Sequence, residues 1–342
     1  MKSVPPNLNS ARWQKWEVPL AIALLAGLVV IAYLPALHAG FIWDDDYYVT
    51  HNPLLTASDG WRNIWLSAER QSQFFPLVFS TLRLEHDLWG LNPLGYHLVN
   101  VLFHAADAVL VWILLKRMTI PGSWIAAALF AVHPVQVESV AWISELKNTQ
   151  STFFYLLTLL AWINFLHGET SSRWKYYLFA LLLYVLALLS KTTACTLPAA
   201  LLLIPWIQGG RIGLGRVLQI APFFLLGIAA GAVSIWWEWH LGNYHENVGQ
   251  NLTALQRIMI ATHALWFYAA KLLVPFHLTF SYSRWQPNIQ KPLNYLWIAA
   301  CLFLALALWQ WRERIGRRPT GAIIFFVAAL SPLLGFIPLY TF

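Results

Sequence analysis

Residues 18–37 form an unbroken apolar run of twenty positions with no charge, about the length a helix needs to cross a hydrocarbon core. Comparable runs follow at 95–115, 123–140, 149–166, 174–189, 192–207, 217–237, 257–274, 293–311 and 321–340. Backbone groups find no water partners inside a bilayer, so segments of this kind must bond internally as helices. The pattern predicts an all-α fold: a polytopic transmembrane helical bundle of nine or ten spans. Composition agrees, because only 11% of residues are charged and 58% are hydrophobic, against roughly 25% charged in soluble domains. That is too little charge to cover a water-exposed surface, and too much apolar content for disorder. The first run lacks a small-residue cleavage site and reads as a span that stays.

The 20 Trp and 13 Tyr suit the two bilayer interfaces. Net charge is +7, but the basic residues lie in small clusters between apolar runs. No continuous basic patch offers itself to nucleic acid. Cys195 and Cys301 both sit inside apolar runs, which argues against a disulfide framework.

Orientation follows from Lys and Arg in the short loops. Lys2, Arg12 and Lys15 precede the first span; Lys116 and Arg117, Arg173 and Lys175, and Arg211 and Arg216 mark alternate loops after it. All fall on one side, which is therefore cytoplasmic. Strict alternation then strands Arg312, Arg314, Arg317 and Arg318 outside. The simplest repair makes 257–274, which carries His263 and Lys271, re-entrant or interfacial.

One long loop, 38–94, lies outside and carries seven of the fifteen acidic residues. It is too rich in Trp, Phe and Leu for a flexible linker. Helix-spaced apolar residues at 61–66 and 77–88 predict short amphipathic helices on the outer membrane face. A loop of this length is usually functional.

Asp44, Asp45 and Asp46 stand together just past the first span. Three adjacent carboxylates repel, so at least one should have a raised pKa. Such a group can serve as general base on an acceptor hydroxyl, or Asp44 and Asp45 can hold a divalent cation. The plainer reading is an acidic loop end that caps a helix or solvates the loop. Further along, His97, Asn100, His104 and Asp107 share one narrow helical stripe. Interhelical hydrogen bonding suits the last three, while His97, nearest the outer end, is the functional candidate. His133-Pro134 with Glu138 reads either as a polar site or as a kink with a satisfied His. Lys191 and Arg284 each read as a point charge for a phosphate or as a turn residue.

These features resemble the GT-C membrane glycosyltransferases, and more closely the transmembrane-and-TPR O-mannosyltransferase family with its bacterial relatives. The matching stretches are FIWDDDYYVTHNPLL (41–55), PLVFSTLRL (76–84), LWGLNPLGYHLVNVLFHA (88–105), FAVHPVQVESVAWISE (130–145), LLSKTTACTLP (188–198) and KLLVPFHLTFSYS (271–283). They stand in the family's order over most of the chain. The resemblance implies one GT-C-like domain over 1–342 and an inverting transfer from a polyprenyl- or dolichyl-phosphate sugar. It further implies a protein or glycan hydroxyl acceptor and catalysis on the outer or lumenal face; a bacterial cytoplasmic membrane is expected in preference to the endoplasmic reticulum.

Asp44 and Asp45 match the family's catalytic Asp pair; Asp46, Arg83, Tyr96, His97, His133, Pro134, Glu138 and Lys191 match further positions. Three positions depart from the pattern: Gln136 where His is usual, Leu146 where Arg is usual, and Asn148 where an acid is usual. Relatives continue into more spans and a TPR array, so the resemblance also implies a fragment at Phe342. Two other classes compete. A lipid-linked sugar transporter or flippase would carry its charges at mid-membrane and show repeated halves; a non-catalytic scaffold for a TPR array would not need the acidic loop.

Overall fold

The computed structural model describes residues 8–67, 73–169, 173–240, 252–283 and 285–336. Every regular element among them is helical. In chain order the helices are α1 (Leu8–Tyr33), α2 (Gly60–Leu66), α3 (Pro76–Trp89), α4 (Pro93–Arg117), α5 (Ser123–Val132), α6 (Val137–Ala141) and α7 (Leu146–His167). Then come α8 (Arg173–Ser190), α9 (Leu197–Ile207), α10 (Leu214–His240), α11 (Ala254–Leu273), α12 (Leu296–Gln310) and α13 (Arg317–Leu330).

Local chemistry sets the boundaries. Asn92 precedes Pro93, and its side-chain oxygen accepts the Leu94 N–H at 3.2 Å; Asn52 does the same for Leu54 at 2.9 Å ahead of Pro53. An Asn cap followed by a Pro whose missing N–H costs nothing is a strong helix start. Thr253 and Gln256 form a reciprocal capping box at the start of α11. The helix expected over 123–140 breaks at His133-Pro134, and its two halves meet at 49°. Pro134 cannot donate to the helical ladder, and His133 Nδ1 accepts the Val135 N–H at 3.2 Å in its place.

Six described helices are long and apolar enough to span a membrane, or seven if the bent α5–α6 pair is one span. This is fewer than the nine or ten expected from runs alone. The segment Thr192–Ile207 is apolar but shorter, α13 has 14 residues, and α11 carries Arg257, His263 and Lys271 along its length. The spans expose their apolar sides as lipid-facing helices do: none of the window around α12 is buried, with Leu302, Phe303 and Leu306 open. Inside, α7 packs along α8 and α4, around a core of Trp162, Phe165, Tyr177, Tyr184, Leu201 and Phe223.

The Arg cluster at 312–318 does not lie outside. Arg317 donates to the carbonyls of Trp206 and Gly210 at 3.2 and 2.9 Å, and Arg318 to Thr119 Oγ1 at 3.2 Å. Those partners belong to or border the loops that carry Arg117 and Arg211, so these basic stretches share one face. Both ends of α11 are tied to the opposite face. Gln256 reaches the Pro287 carbonyl at 3.2 Å and Arg257 that of Gly335 at 2.7 Å, while the Leu272 carbonyl accepts from His133 Nε2 at 3.0 Å. Helix α11 is not among the described helices long and apolar enough to span a membrane, and a re-entrant or interfacial placement is the one the positive-inside pattern favours.

The outer loop folds with a core of its own. Helices α2 and α3 occupy the two stretches where amphipathic helices are expected. With Tyr48, Leu54 and Leu55 they bury Ile64, Val78, Phe79 and Leu82 against Tyr96, Ile143 and Leu146. This small core presses residues 41–52 onto the second outer loop, 142–148, and so assembles the site.

A carboxylate and lysine cluster on the outer face

Trp43 turns the chain at φ +45°, a left-handed conformation that costs a bulky residue on the order of 1–3 kcal/mol. Ring contacts hold it, with Phe280 at 4.7 Å and Trp142 at 6.4 Å between centroids. Immediately after it, the three acids have three different environments.

Asp45 is completely buried. Its Oδ2 accepts the Ile42 N–H at 2.9 Å and its Oδ1 the Ser144 N–H at 2.8 Å, pinning the two outer loops together. Burial raises its pKa, the two backbone N–H groups pull it back, and the charge of Asp44 adds a smaller upward push. A raised carboxylate in this triplet is what the sequence predicts, but desolvation, not repulsion, is the main cause. Asp44 is half-buried, its carbonyl accepts the Tyr48 N–H at 2.8 Å, and its charge acts on Lys147. Asp46 points to solvent and accepts the Thr50 hydroxyl at 2.7 Å.

Glu145 is the centre of the second loop. It pairs with Lys147 at 2.7 Å and with Lys191 at 4.0 Å, and its Oε2 accepts from the Asn148 amide at 2.5 Å. The same amide reaches Ser139 Oγ at 2.9 Å, while Asn148 Oδ1 accepts from Lys191 Nζ. Lys147 Nζ stands 5.0 Å over the Tyr48 ring, a placement that favours a cation. Lys191 sits between α8 and the turn leading into α9. Burial pushes its ammonium down to about 8, against the upward pull of Glu145 and Glu138. Glu138 is exposed on α6, close enough for its charge to act on both lysines. Asp44, Glu138, Glu145, Lys147 and Lys191 thus form one charged cluster on the outer face.

Other expected site residues are engaged elsewhere. The buried guanidinium of Arg83 donates to the Leu54 carbonyl at 2.5 Å and lies 5.6 Å from the centre of the Trp61 ring. Among the described residues it makes no ion pair. Tyr96 is buried and donates its hydroxyl to the Gly90 carbonyl at 2.7 Å. His97 is buried against the backbone of Ala39, Gly40 and Ala141. His133 caps the break between α5 and α6 and ties it to Leu272. Arg284 lies outside the described residues. In the helical stripe, Asn100 donates to the Trp142 carbonyl at 2.9 Å and His104 bonds the Ala131 carbonyl at 3.0 Å, tertiary bonding as expected, whereas the buried Asp107 Oδ1 has no partner among the described residues.

Glu145, Lys147 and Asn148 are site residues that sequence reasoning did not select. Their signal was the polar run Ser144–Asn148 ahead of an apolar span, and Asn148 was visible only as a departure from the family pattern. Leu146, another departure, is buried in the loop core. A divalent cation at Asp44 and Asp45 does not fit the donor set. Among the described residues no three His, Cys, Asp or Glu side chains gather closely enough to hold a metal, and both Asp45 oxygens already accept backbone N–H groups.

Fold and site define a multi-pass membrane protein that carries a built cluster of carboxylates and lysines at the end of the bundle opposite the Arg117 and Arg318 loops. Its curated homologues are protein O-mannosyl-transferases. The chain is 35% identical to Tmtc1 of Drosophila melanogaster over 190 residues, covering 51% of this chain and 22% of that protein. It is 31% identical to TMTC2 of Mus musculus over 172 residues, covering 46% and 21%. Against F38B6.6 of Caenorhabditis elegans the identity is 27% over 278 residues, covering 77% and 39%. The chain thus spans about a fifth of the length of the first two relatives. These relatives are animal proteins and lend no support to a bacterial membrane. No protein-family model and no solved structure matches the chain.

Proposed function

We propose that this chain is a membrane glycosyltransferase that moves a sugar, mannose by analogy with its relatives' names, from a polyprenyl- or dolichyl-phosphate to a hydroxyl of a protein Ser or Thr. The observation that carries the reading is the outer cluster: the half-buried carboxylate of Asp44, whose charge acts on Lys147, with Lys147 held by Glu145 and Lys191 by Glu145 and Asn148.

In this reading Asp44 takes the proton of the acceptor hydroxyl as its oxygen attacks the anomeric carbon. The bond from that carbon to the phosphate oxygen breaks, and the electron pair leaves with the lipid phosphate. Lys191, with Lys147 behind it, stabilises the charge that develops there, and preset cations cost little reorganisation at that moment. One displacement inverts the anomeric centre. Asp45 acts as a positioning residue: it locks Ile42 and Ser144, and hence the loop carrying Asp44, against the loop carrying the lysines. Exposed Glu138 borders the acceptor side. The apolar faces of the spans supply the surface along which a polyprenyl tail lies.

Purified protein incubated with radiolabelled polyprenyl-phosphate mannose tests this. Wild-type protein should release or transfer the label, and Asp44→Asn should not, while binding donor as well as the wild type does. Scoring hydrolysis alongside transfer removes dependence on the acceptor. Equal turnover by both proteins would refute the assignment of Asp44.

A further inference from the structure

We infer that a cleft on the inner face, opposite the carboxylate cluster, binds the phosphate of an anionic phospholipid. Arg117 at the end of α4 and Arg318 at the start of α13 converge there with Thr119, His167 and Gln208 around an open cavity of about 460 Å³. Among the described residues no acidic side chain lines it. Arg117 donates to Asn164 Oδ1 and Arg318 to Thr119 Oγ1, both neutral oxygens. A guanidinium has five donors in a planar fork, so each keeps N–H groups for an anion and can grip a phosphate in a bidentate manner. The positive-inside rule accounts for basic residues in these loops. It does not account for two arginines 201 positions apart in sequence meeting over one cavity with no counter-charge.

A second cavity argues for a lipid over free phosphate. It is a groove of about 260 Å³ on the other side of Arg117, lined by Val18, Trp112 and Ile113 with Lys116 at its rim. It follows the seam where α1 packs on α4, and Lys116 Nζ stands 5.0 Å from the centre of the Trp112 ring. Arg117 belongs to both cavities. A polar cleft that continues past a shared arginine into an apolar groove at membrane depth matches a headgroup phosphate with its acyl chain. It also faces the leaflet in which anionic lipids concentrate. The site does not depend on the chemistry proposed for the outer face.

Native mass spectrometry of the full chain with equal amounts of phosphatidylglycerol and phosphatidylcholine tests this inference. The wild type should retain phosphatidylglycerol about tenfold over phosphatidylcholine, and Arg117→Gln with Arg318→Gln should bring the ratio close to one. Gln208→Glu, which leaves both arginines in place and sits on the exposed rim, should cut retention several-fold and serves if the double variant does not fold. Equal retention of both lipids by the wild type, or an unchanged preference in these variants, would overturn the site. So would one-for-one displacement of phosphatidylglycerol by millimolar inorganic phosphate, which would assign the cleft to free phosphate.

Discussion

The two ends of this bundle handle charge in opposite ways. On the outer face Lys147 and Lys191 converge on Glu145, and Asn148 bridges Glu145 and Lys191, so the cluster is compensated and preset before any substrate arrives. On the inner face Arg117 and Arg318 meet with only neutral oxygens between them. A compensated cluster can stabilise charge that appears briefly during a reaction, because its groups are already oriented. An uncompensated one is better suited to holding a permanent anion. Under the two proposals above, the contrast is between a site for chemistry and a site for binding.

The sharpest way to break the contrast is to remove the base. Asp44→Asn should lower turnover by roughly 10²–10⁴-fold, the usual weight of a general base, in steady-state transfer assays. Lys191→Gln should lower it by roughly 10²-fold. In the wild type, turnover should also fall as pH rises through about 8, because Lys191 is a cation below that value and neutral above it. Asp45→Ala tests structure rather than chemistry. It leaves the Ile42 and Ser144 N–H groups buried without their acceptor, at a cost of about 2–5 kcal/mol, visible as a lower apparent Tm in detergent.

A pH-dependent effect on stability alone concerns Glu85, buried in α3, whose carboxyl burial pushes up to about 9 from an ordinary 4.5. Its folded-state pKa is raised, so its contribution to stability is full below about pH 4.5 and is lost as pH rises toward 9. Glu85→Gln should remove that dependence, so the variant gains on the wild type by up to about 1.4 kcal/mol per pH unit within that window. Unfolding midpoints measured between pH 5 and 9 would show the two curves diverging.

Local pattern was enough for much of the fold. The apolar runs at 18–37 and 95–115 lie within α1 with its following turn and within α4, and the helix-spaced residues at 61–66 and 77–88 became α2 and α3. The conflict between loop charges and strict alternation pointed to α11, which is not among the helices long and apolar enough to span. Long-range contacts were not legible. Nothing local in the acidic triplet tells Asp45 from Asp44, because the difference is made by Ser144, 99 residues away. Arg83 and Tyr96 look free in sequence, yet the carbonyls of Leu54 and Gly90 engage them. Among the described residues fewer runs became full-length apolar helices than counting runs predicts, because Pro134 divides one helix and others fall short in length or carry charge.

The central claim is that three neighbouring carboxylates have three separate roles, and one parallel measurement tests it. Transfer and donor hydrolysis are assayed in Asp44→Asn, Asp45→Asn and Asp46→Asn, each alongside its apparent Tm. The account predicts that the first is inactive at wild-type stability, that the second loses stability, and that the exposed third keeps most of its activity and stability. Wild-type turnover in Asp44→Asn, or an inactive but stable Asp46→Asn, would contradict it.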